Sequence, residues 1–127
     1  MEAPRLREAL DTAVPLLRSA VQQDSTFALA WAALGNAYTQ MIFAFGGNTM
    51  VRDSAVTAIA RALALDTALA DGYRARSNIE YTREAAWQHG PALQDALHAV
   101  LLKPSWAEAH ATLLSLLTHL GDRKSVV

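Results

Sequence analysis

Cysteine is absent from the 127 residues, which excludes disulfides, thiolate nucleophiles and thiolate metal sites. An excess of charge of either sign is missing too: 11 Lys and Arg stand against 12 Asp and Glu, a formal net charge of -1. Such a balance gives no long-range field that would attract nucleic acid or an anionic membrane. We therefore expect neither of them as a partner.

Long hydrophobic runs are also missing. No segment approaches the roughly 18 uninterrupted apolar residues that read as a membrane helix. The first eleven residues, MEAPRLREALD, have charges throughout and no apolar stretch between them, so they do not form a secretory signal. The sequence predicts a soluble, cytoplasmic protein. Its aromatic content is 7% and its apolar content 52%, which favours one globular helical domain.

Residue patterns that support catalysis or metal binding are not found either. The Gly46-Gly47 pair lacks the further glycines and the lysine of a phosphate-binding loop, which favours a connector between helices. None of the four histidines is four residues from another, the spacing that places two metal ligands on one helix face. No serine lies in a strained elbow motif. We expect no enzyme activity, no cofactor and no metal.

The chain does contain an internal repeat. Residues 19–38, 61–80 and 98–117 align without gaps at offsets of 42 and then 37. Small residues match small ones and large residues match large ones. The clearest columns are Ala20, Ala62 and Ala99; Val21, Leu63 and Val100; Phe27, Leu69 and Trp106; and the ring-bearing Trp31, Tyr73 and His110. The register extends backwards through Ala13, Ala55 and Ala92, so the whole chain follows one repeating unit.

Each unit has the pattern of a helix, a tight turn and a second helix. Ser25 and Thr67 are suitable N-caps for the helix after the turn, and Pro104 blocks continuation of the helix before it. His110, in the ring column, is expected to pack with its ring partly buried. The helices are predicted near residues 5–23, 27–43, 52–65, 69–85, 91–102 and 106–120.

Three irregularities qualify this pattern. Pro15 favours a first helix that begins near residue 11 or 12 over a kinked longer one. The units are longer than the usual repeat of about 34 residues, so loops near residues 46–50 and 88–91 are expected to hold the surplus. In the middle unit, polar Arg76, Ser77 and Glu80 occupy packing positions, which predicts a less regular second hairpin.

The segment WAALGNAY at residues 31–38 resembles the first helix of a tetratricopeptide repeat, and residues 55–66 resemble its second helix. Pro104 matches the closing proline of that motif. The resemblance covers residues 13–121. It implies an all-α, right-handed superhelical array of antiparallel helix hairpins, a TPR-like α-solenoid of about six helices. It also implies a scaffold that binds proteins and does not catalyse a reaction.

In this family the first helix of each hairpin lines a concave groove that binds an extended peptide or a partner helix. Carried over by aligned position, the resemblance implies groove residues Leu29, Asn36, Thr39, Asp71, Arg74, Asn78 and Ser115. The amides of Asn36 and Asn78 could hold a peptide backbone whatever its sequence. Ala32 and Ala111 stand where charge would help to bind a terminal carboxylate, so capture of acidic C-terminal tails is not expected.

The repeat begins with a second helix and ends with a first helix. We therefore expect the repeat domain, residues 1–121, to be incomplete at both ends. Residues 122–127, DRKSVV, match what a common sequencing-adapter sequence encodes, and we predict that this tail is not native. An ordinary frayed tail is the alternative.

Three functions remain open at this stage. The first is a scaffold that binds a peptide or partner domain, as a fragment of a larger bacterial regulatory or signalling protein, whose repeat regions these segments resemble. The second is the regulatory arm of an enzyme whose catalytic domain is missing. The third is self-association through an uncovered last helix, which carries Leu113, Leu117 and Leu120.

Overall fold

In a computed structural model of the chain, the backbone is described for residues 2–46, 48–81 and 89–126, and the side chains for residues 5–46, 48–81 and 90–118. Six α-helices make up this part of the chain: α1 (Glu2–Gln23), α2 (Ala28–Phe45), α3 (Thr49–Leu65), α4 (Ala70–Tyr81), α5 (His89–Leu102) and α6 (Ala107–Val126). These residues include no strand. The predicted all-α fold of about six helices is confirmed.

The helices pack as successive hairpins. α2 packs on α3 and α4 packs on α5, α1 lies against α2, and α6 lies against α5. Between hairpins, α4 contacts both α2 and α3, and α6 contacts α4. The first helices α2, α4 and α6 are therefore neighbours in one layer, while α1, α3 and α5 are the second helices of their units. This is the repeat array that the sequence register predicts.

Small residues set the approach of α2 to α3. A Cβ added to Gly35 would lie 2.5 Å from Ile59 Cγ1 and 3.2 Å from the carbonyl oxygen of Ala55. Ala55 and Ala62 on α3 are fully buried. Larger side chains at these two positions would hold α2 and α3 apart. The Leu-Gly pair of the first unit therefore has a direct packing role.

The second hairpin is closed by polar contacts. Arg76 Nε donates to Asp95 Oδ2 (2.9 Å) and its Nη2 donates to Oδ1 (3.0 Å). Ser77 Oγ donates to the carbonyl oxygen of Ala92 at 2.8 Å, and both residues are fully buried. The hydrogen bond that Arg76 donates to Asp95 raises the pKa of Arg76. Two of the three polar residues that predicted a less regular hairpin, Arg76 and Ser77, therefore have partners on α5.

The three aligned ring residues make the same contact. Each forms a hydrogen bond with the carbonyl oxygen six residues before it, in the turn that precedes its helix. The pairs are Trp31 Nε1 with Ser25 (3.0 Å), Tyr73 Oη with Thr67 (2.7 Å) and His110 Nε2 with Pro104 (2.6 Å). The ring column of the repeat is therefore a column of donors that fasten the turns. His110 is exposed, so the expectation of a partly buried ring there is wrong.

Aspartates, and not the predicted Ser25 and Thr67, organise the turns before α2 and α4. Asp24 Oδ1 accepts from the backbone N–H of Thr26 at 3.0 Å and from its hydroxyl at 2.6 Å. Asp66 Oδ1 accepts from the backbone N–H of Ala68 at 3.0 Å. The hydrogen bonds from Thr26 lower the pKa of Asp24. A carboxylate accepts more strongly than a hydroxyl, so the aspartate takes the turn amide.

Helix boundaries differ from the prediction at three points. α1 runs through Pro15, which removes one hydrogen bond but does not end a helix whose flanks are rich in good helix formers. α2 extends to Phe45 and α3 begins at Thr49. The extra residues of the longer first unit therefore lie mostly in its two helices and not in the loop between them. Of the predicted loop at residues 88–91, residue 88 lies outside the described residues, and Pro91 is in the first turn of α5.

α6 includes residues 122–126, and whether that tail is native stays a prediction.

Candidate partner-binding groove

The layer of first helices contains a cleft of about 330 Å³. All of its lining residues lie on α2, α4 and α6: Phe43, Ser77, Asn78, Tyr81, Ala111, Thr112, Ser115 and Leu116. We call the surface that holds this cleft the groove. It is where the resemblance places a ligand, because it is formed only by the first helices.

Asn36 and Asn78 meet across the layer. Asn78 Nδ2 donates to Asn36 Oδ1 at 3.3 Å, and both side chains are partly buried. The contact exists because α4 packs directly on α2, which brings residues 42 apart in sequence to the same level. It uses one donor of Asn78 and leaves each side chain with further donor and acceptor capacity. The two predicted residues therefore form one amide pair.

The predicted residues on α2 divide by exposure. Leu29 is 47% exposed, whereas Thr39 is fully buried and donates its hydroxyl to the carbonyl oxygen of Gly35 at 2.8 Å. Ala32, in the same row, is also buried. The groove proposed below therefore omits Thr39.

Asp71 and Arg74 lie at the charged end of the groove, near the turn between α5 and α6. Asp71 Oδ1 is 3.7 Å from Lys103 Nζ. Arg74 Nε donates to Thr112 Oγ1 at 3.2 Å, and its guanidinium lies 5.4 Å from the centre of the Trp106 ring. Burial lowers the pKa of Arg74, although the carboxylate of Asp71 opposes that shift. Both predicted residues thus connect neighbouring repeats.

Ser115 is exposed at the opposite end and lines the cleft. Two aromatic residues beside it were missed. Phe43, 53% exposed, and Tyr81 have ring centres 6.2 Å apart. The sequence does contain a signal for both residues. Phe43 is seven residues after Asn36, two helical turns further along the same face, and Tyr81 is three residues after Asn78, one turn further along its face.

The part of the chain that the structure describes contains no cluster of three or more His, Asp or Glu side chains placed to hold a metal ion. Its helices include none with the length and apolar character needed to cross a membrane.

Comparison with known proteins gives one informative match. No protein-family profile matches the chain. The chain is similar to Tetratricopeptide repeat protein 5 of Bos taurus, with 30% identity over 102 residues, 80% of this chain. It spans 23% of the length of that relative. This match and the hairpin architecture agree with the resemblance read from residues 13–121. In sequence and in hairpin architecture, the chain is therefore similar to a tetratricopeptide repeat protein.

Proposed function

We propose that the groove binds a segment of a partner protein. The observation that carries this proposal is a cleft lined by Asn78 and by two aromatic rings, Phe43 and Tyr81, with Asn36 hydrogen-bonded to Asn78 beside it. Amides satisfy backbone groups of a bound segment, and exposed rings bury apolar side chains. Protein interfaces are enriched in aromatic anchors surrounded by polar groups.

The cleft favours an apolar anchor residue. Its volume of about 330 Å³ is at the small end of ligand pockets, enough for one or two large side chains. Leu116 and Ala111 complete an apolar wall opposite Phe43, while Ser115 lies at the rim. A bound segment would place a bulky apolar side chain here and extend along the amide pair toward Leu29.

The charged end does not favour a free C-terminal carboxylate. Arg74 already donates to Thr112, and the carboxylates of Asp71 and Glu108 lie close enough to act on its pKa. An incoming carboxylate would meet two negative groups there and would compete for a guanidinium that is already engaged. Recognition of an internal segment therefore fits this end better.

The wider setting stays a proposal. The relative is bovine and the chain spans 23% of it, so the fragment of a bacterial regulatory protein and the regulatory arm of an enzyme both remain hypotheses. The similarity to a tetratricopeptide repeat protein supports a repeat scaffold without a catalytic role. Cytoplasmic location likewise remains a prediction.

A peptide-display selection tests the groove. Random peptides selected on the immobilised chain should contain a bulky apolar anchor and should bind the free chain in calorimetry. Ser115→Arg places a long cation at the rim of the cleft and should abolish that binding. Gln94→Arg, a matched charge change on the exposed part of α5, should leave it intact. Equal loss in both variants, or in neither, would contradict the proposal.

A further inference from the structure

The two hairpins of the chain show which helix faces fit together. On α2, Leu34 and Gly35 pack on Ala58 and Ile59 of α3. On α4, Arg76 and Ser77 bond to Asp95 and Ala92 of α5. At an offset of 42, Leu34 and Gly35 correspond to Arg76 and Ser77, and at an offset of 37, Ala58 and Ala55 correspond to Asp95 and Ala92. We call Leu34, Gly35 and their equivalents on the other first helices the first-helix face. Ala55, Ala58 and their equivalents on the other second helices form the second-helix face.

α6 carries an uncovered first-helix face. At the further offset of 37, its equivalents of Arg76, Ser77 and Glu80 are Leu113, Leu114 and Leu117. Leu114 is 65% exposed and Leu117 is 48% exposed, while Leu113 is partly buried against the end of α5. Leu120, included with this face from the sequence, lies outside the described side chains. Among the described helices, none covers this face of α6.

α1 carries an uncovered second-helix face. Its Ala13, Leu16 and Ala20 are the equivalents, 42 residues earlier, of Ala55, Ala58 and Ala62. Those three alanines are buried in the first hairpin, whereas Leu16 is 66% exposed. α1 packs against the core of α2 and α3 through Val14, Leu17, Ala20 and Val21, so Leu16 is the exposed residue of this face. The chain thus presents both halves of a hairpin, one at each end.

We propose that these two faces bind each other between copies of the chain, so that α6 of one copy and α1 of the next form a hairpin. The arrangement continues contacts that the fold already makes. In the second copy, α2 lies against α1, so it would come to rest beside α6 of the first copy. There it would repeat the packing of α4 beside α2. The layer of first helices then runs on from one copy into the next.

The residues at the new contact match in chemistry. Where the second hairpin pairs Arg76 with Asp95, the contact between copies pairs Leu113 with Leu16. Two leucines thus take the place of an ion pair. The contact is apolar, like the contact between Leu34 and Ala58 in the first hairpin. Leu114 occupies the position at which Gly35 allows α2 and α3 to approach closely. In the contact between copies, α6 and α1 are therefore further apart than α2 and α3, within the usual range of about 8–10 Å between helix axes.

This contact is head-to-tail, because different surfaces of the two copies meet. Such an arrangement leaves one free face at each end and extends into a chain of copies unless it closes into a ring. It also leaves the inner wall of the groove open, since Thr112 and Leu116 lie on the other side of α6 from Leu114. The inference therefore stands or falls independently of the proposed function.

Two blocked variants test the arrangement in sedimentation velocity. Leu16→Asp closes the α1 face and Leu114→Asp closes the α6 face, and both side chains are about two-thirds exposed, so both variants should fold. Circular dichroism and the melting temperature check that they do. Leu101→Asp, at a leucine of α5 that is 68% exposed, is the matched control.

We expect the wild-type chain and the Leu101→Asp control to show an average mass that rises with concentration past that of a dimer. Each blocked variant alone should remain a monomer. An equimolar mixture of the two should give a dimer and nothing larger, because each variant retains the one face that its partner needs. A monomeric wild type, a mixture that stays monomeric, or a control that loses assembly as the blocked variants do would overturn the proposal.

Discussion

Arg76 on α4 and Asp95 on α5 are joined by two hydrogen bonds of 2.9 and 3.0 Å, and they differ in exposure. The Arg76 side chain is 46% exposed, whereas that of Asp95 is only 10% exposed. Loss of the arginine therefore leaves a carboxylate without its partner in a buried place. Loss of the aspartate leaves a guanidinium that water can reach.

The two alanine variants should differ accordingly. Arg76→Ala should lower the free energy of unfolding by about 3 kcal/mol, because it strands a buried charge. Asp95→Ala should lower it by about 1 kcal/mol, the loss of hydrogen bonds to a group that stays hydrated. Urea denaturation measures both. The double variant Arg76→Leu with Asp95→Ala copies Leu34 and Ala58 and should recover most of the loss. Equal costs for the single variants would refute the asymmetry.

Tyr73→Phe tests the hydrogen bond that fastens the turn before α4. The change removes the hydroxyl that donates to Thr67 but keeps the ring, which packs 4.0 Å from the ring of His98. We expect a loss of about 0.5–1.5 kcal/mol, the net value of one such bond. Thermal unfolding gives the value, and Tyr38→Phe, outside the ring column, provides the comparison. A melting temperature that drops equally in both would remove the special role of the column.

The sequence predicted that Trp31, Tyr73 and His110 are equivalent, because their spacing repeats at the offsets of the whole unit. It did not predict what they do. A buried ring and a ring that donates to a carbonyl have the same spacing, and only the backbone path of the turn decides between them. The same limit explains the missed role of Asp24: Ser25 and Asp24 are adjacent capping residues, and the turn geometry selects the carboxylate.

Gly35→Ala should destabilise the chain although alanine is the better helix former. Its Cβ would lie 2.5 Å from Ile59 Cγ1 and 3.2 Å from the backbone oxygen of Ala55, so the helices must separate. We expect a net cost of about 1–3 kcal/mol, typical of overpacking. Gly90→Ala is the control, since nothing lies within 4 Å of its added Cβ; it should stabilise by up to about 1 kcal/mol. Chemical denaturation that shows a gain at both sites would argue against the tight α2–α3 contact.

Asn36→Ala with Asn78→Ala should weaken binding of a selected peptide at least tenfold and also lower the melting temperature slightly. The stability change follows from the 3.3 Å hydrogen bond between the two amides, which the sequence could not reveal. Its cost is about 1 kcal/mol, the value of one net hydrogen bond. Calorimetry measures both effects in the same samples. Unchanged binding would remove the amide pair from the groove.

Other residues of the groove show what their aligned positions in the repeat can and cannot predict. Leu29 and Ser115 are exposed, and none of the described helices covers them. Thr39 follows the same spacing on α2 but is buried, since helix spacing gives the side of a helix and not what packs on it. Arg76 and Ser77 read as defects in the repeat, although each had a partner 19 or 15 residues away. Such pairings depend on the hairpin being formed.

Amide chemical-shift mapping with a selected peptide tests the central claim most directly. The account predicts that the largest shifts fall on α2, α4 and α6, around Phe43, Asn78 and Ser115, while α1, α3 and α5 change little. Shifts concentrated instead on α3 and α5, with Ser115 and Asn78 unaffected, would show that the chain binds its partner on the opposite side and would contradict the groove.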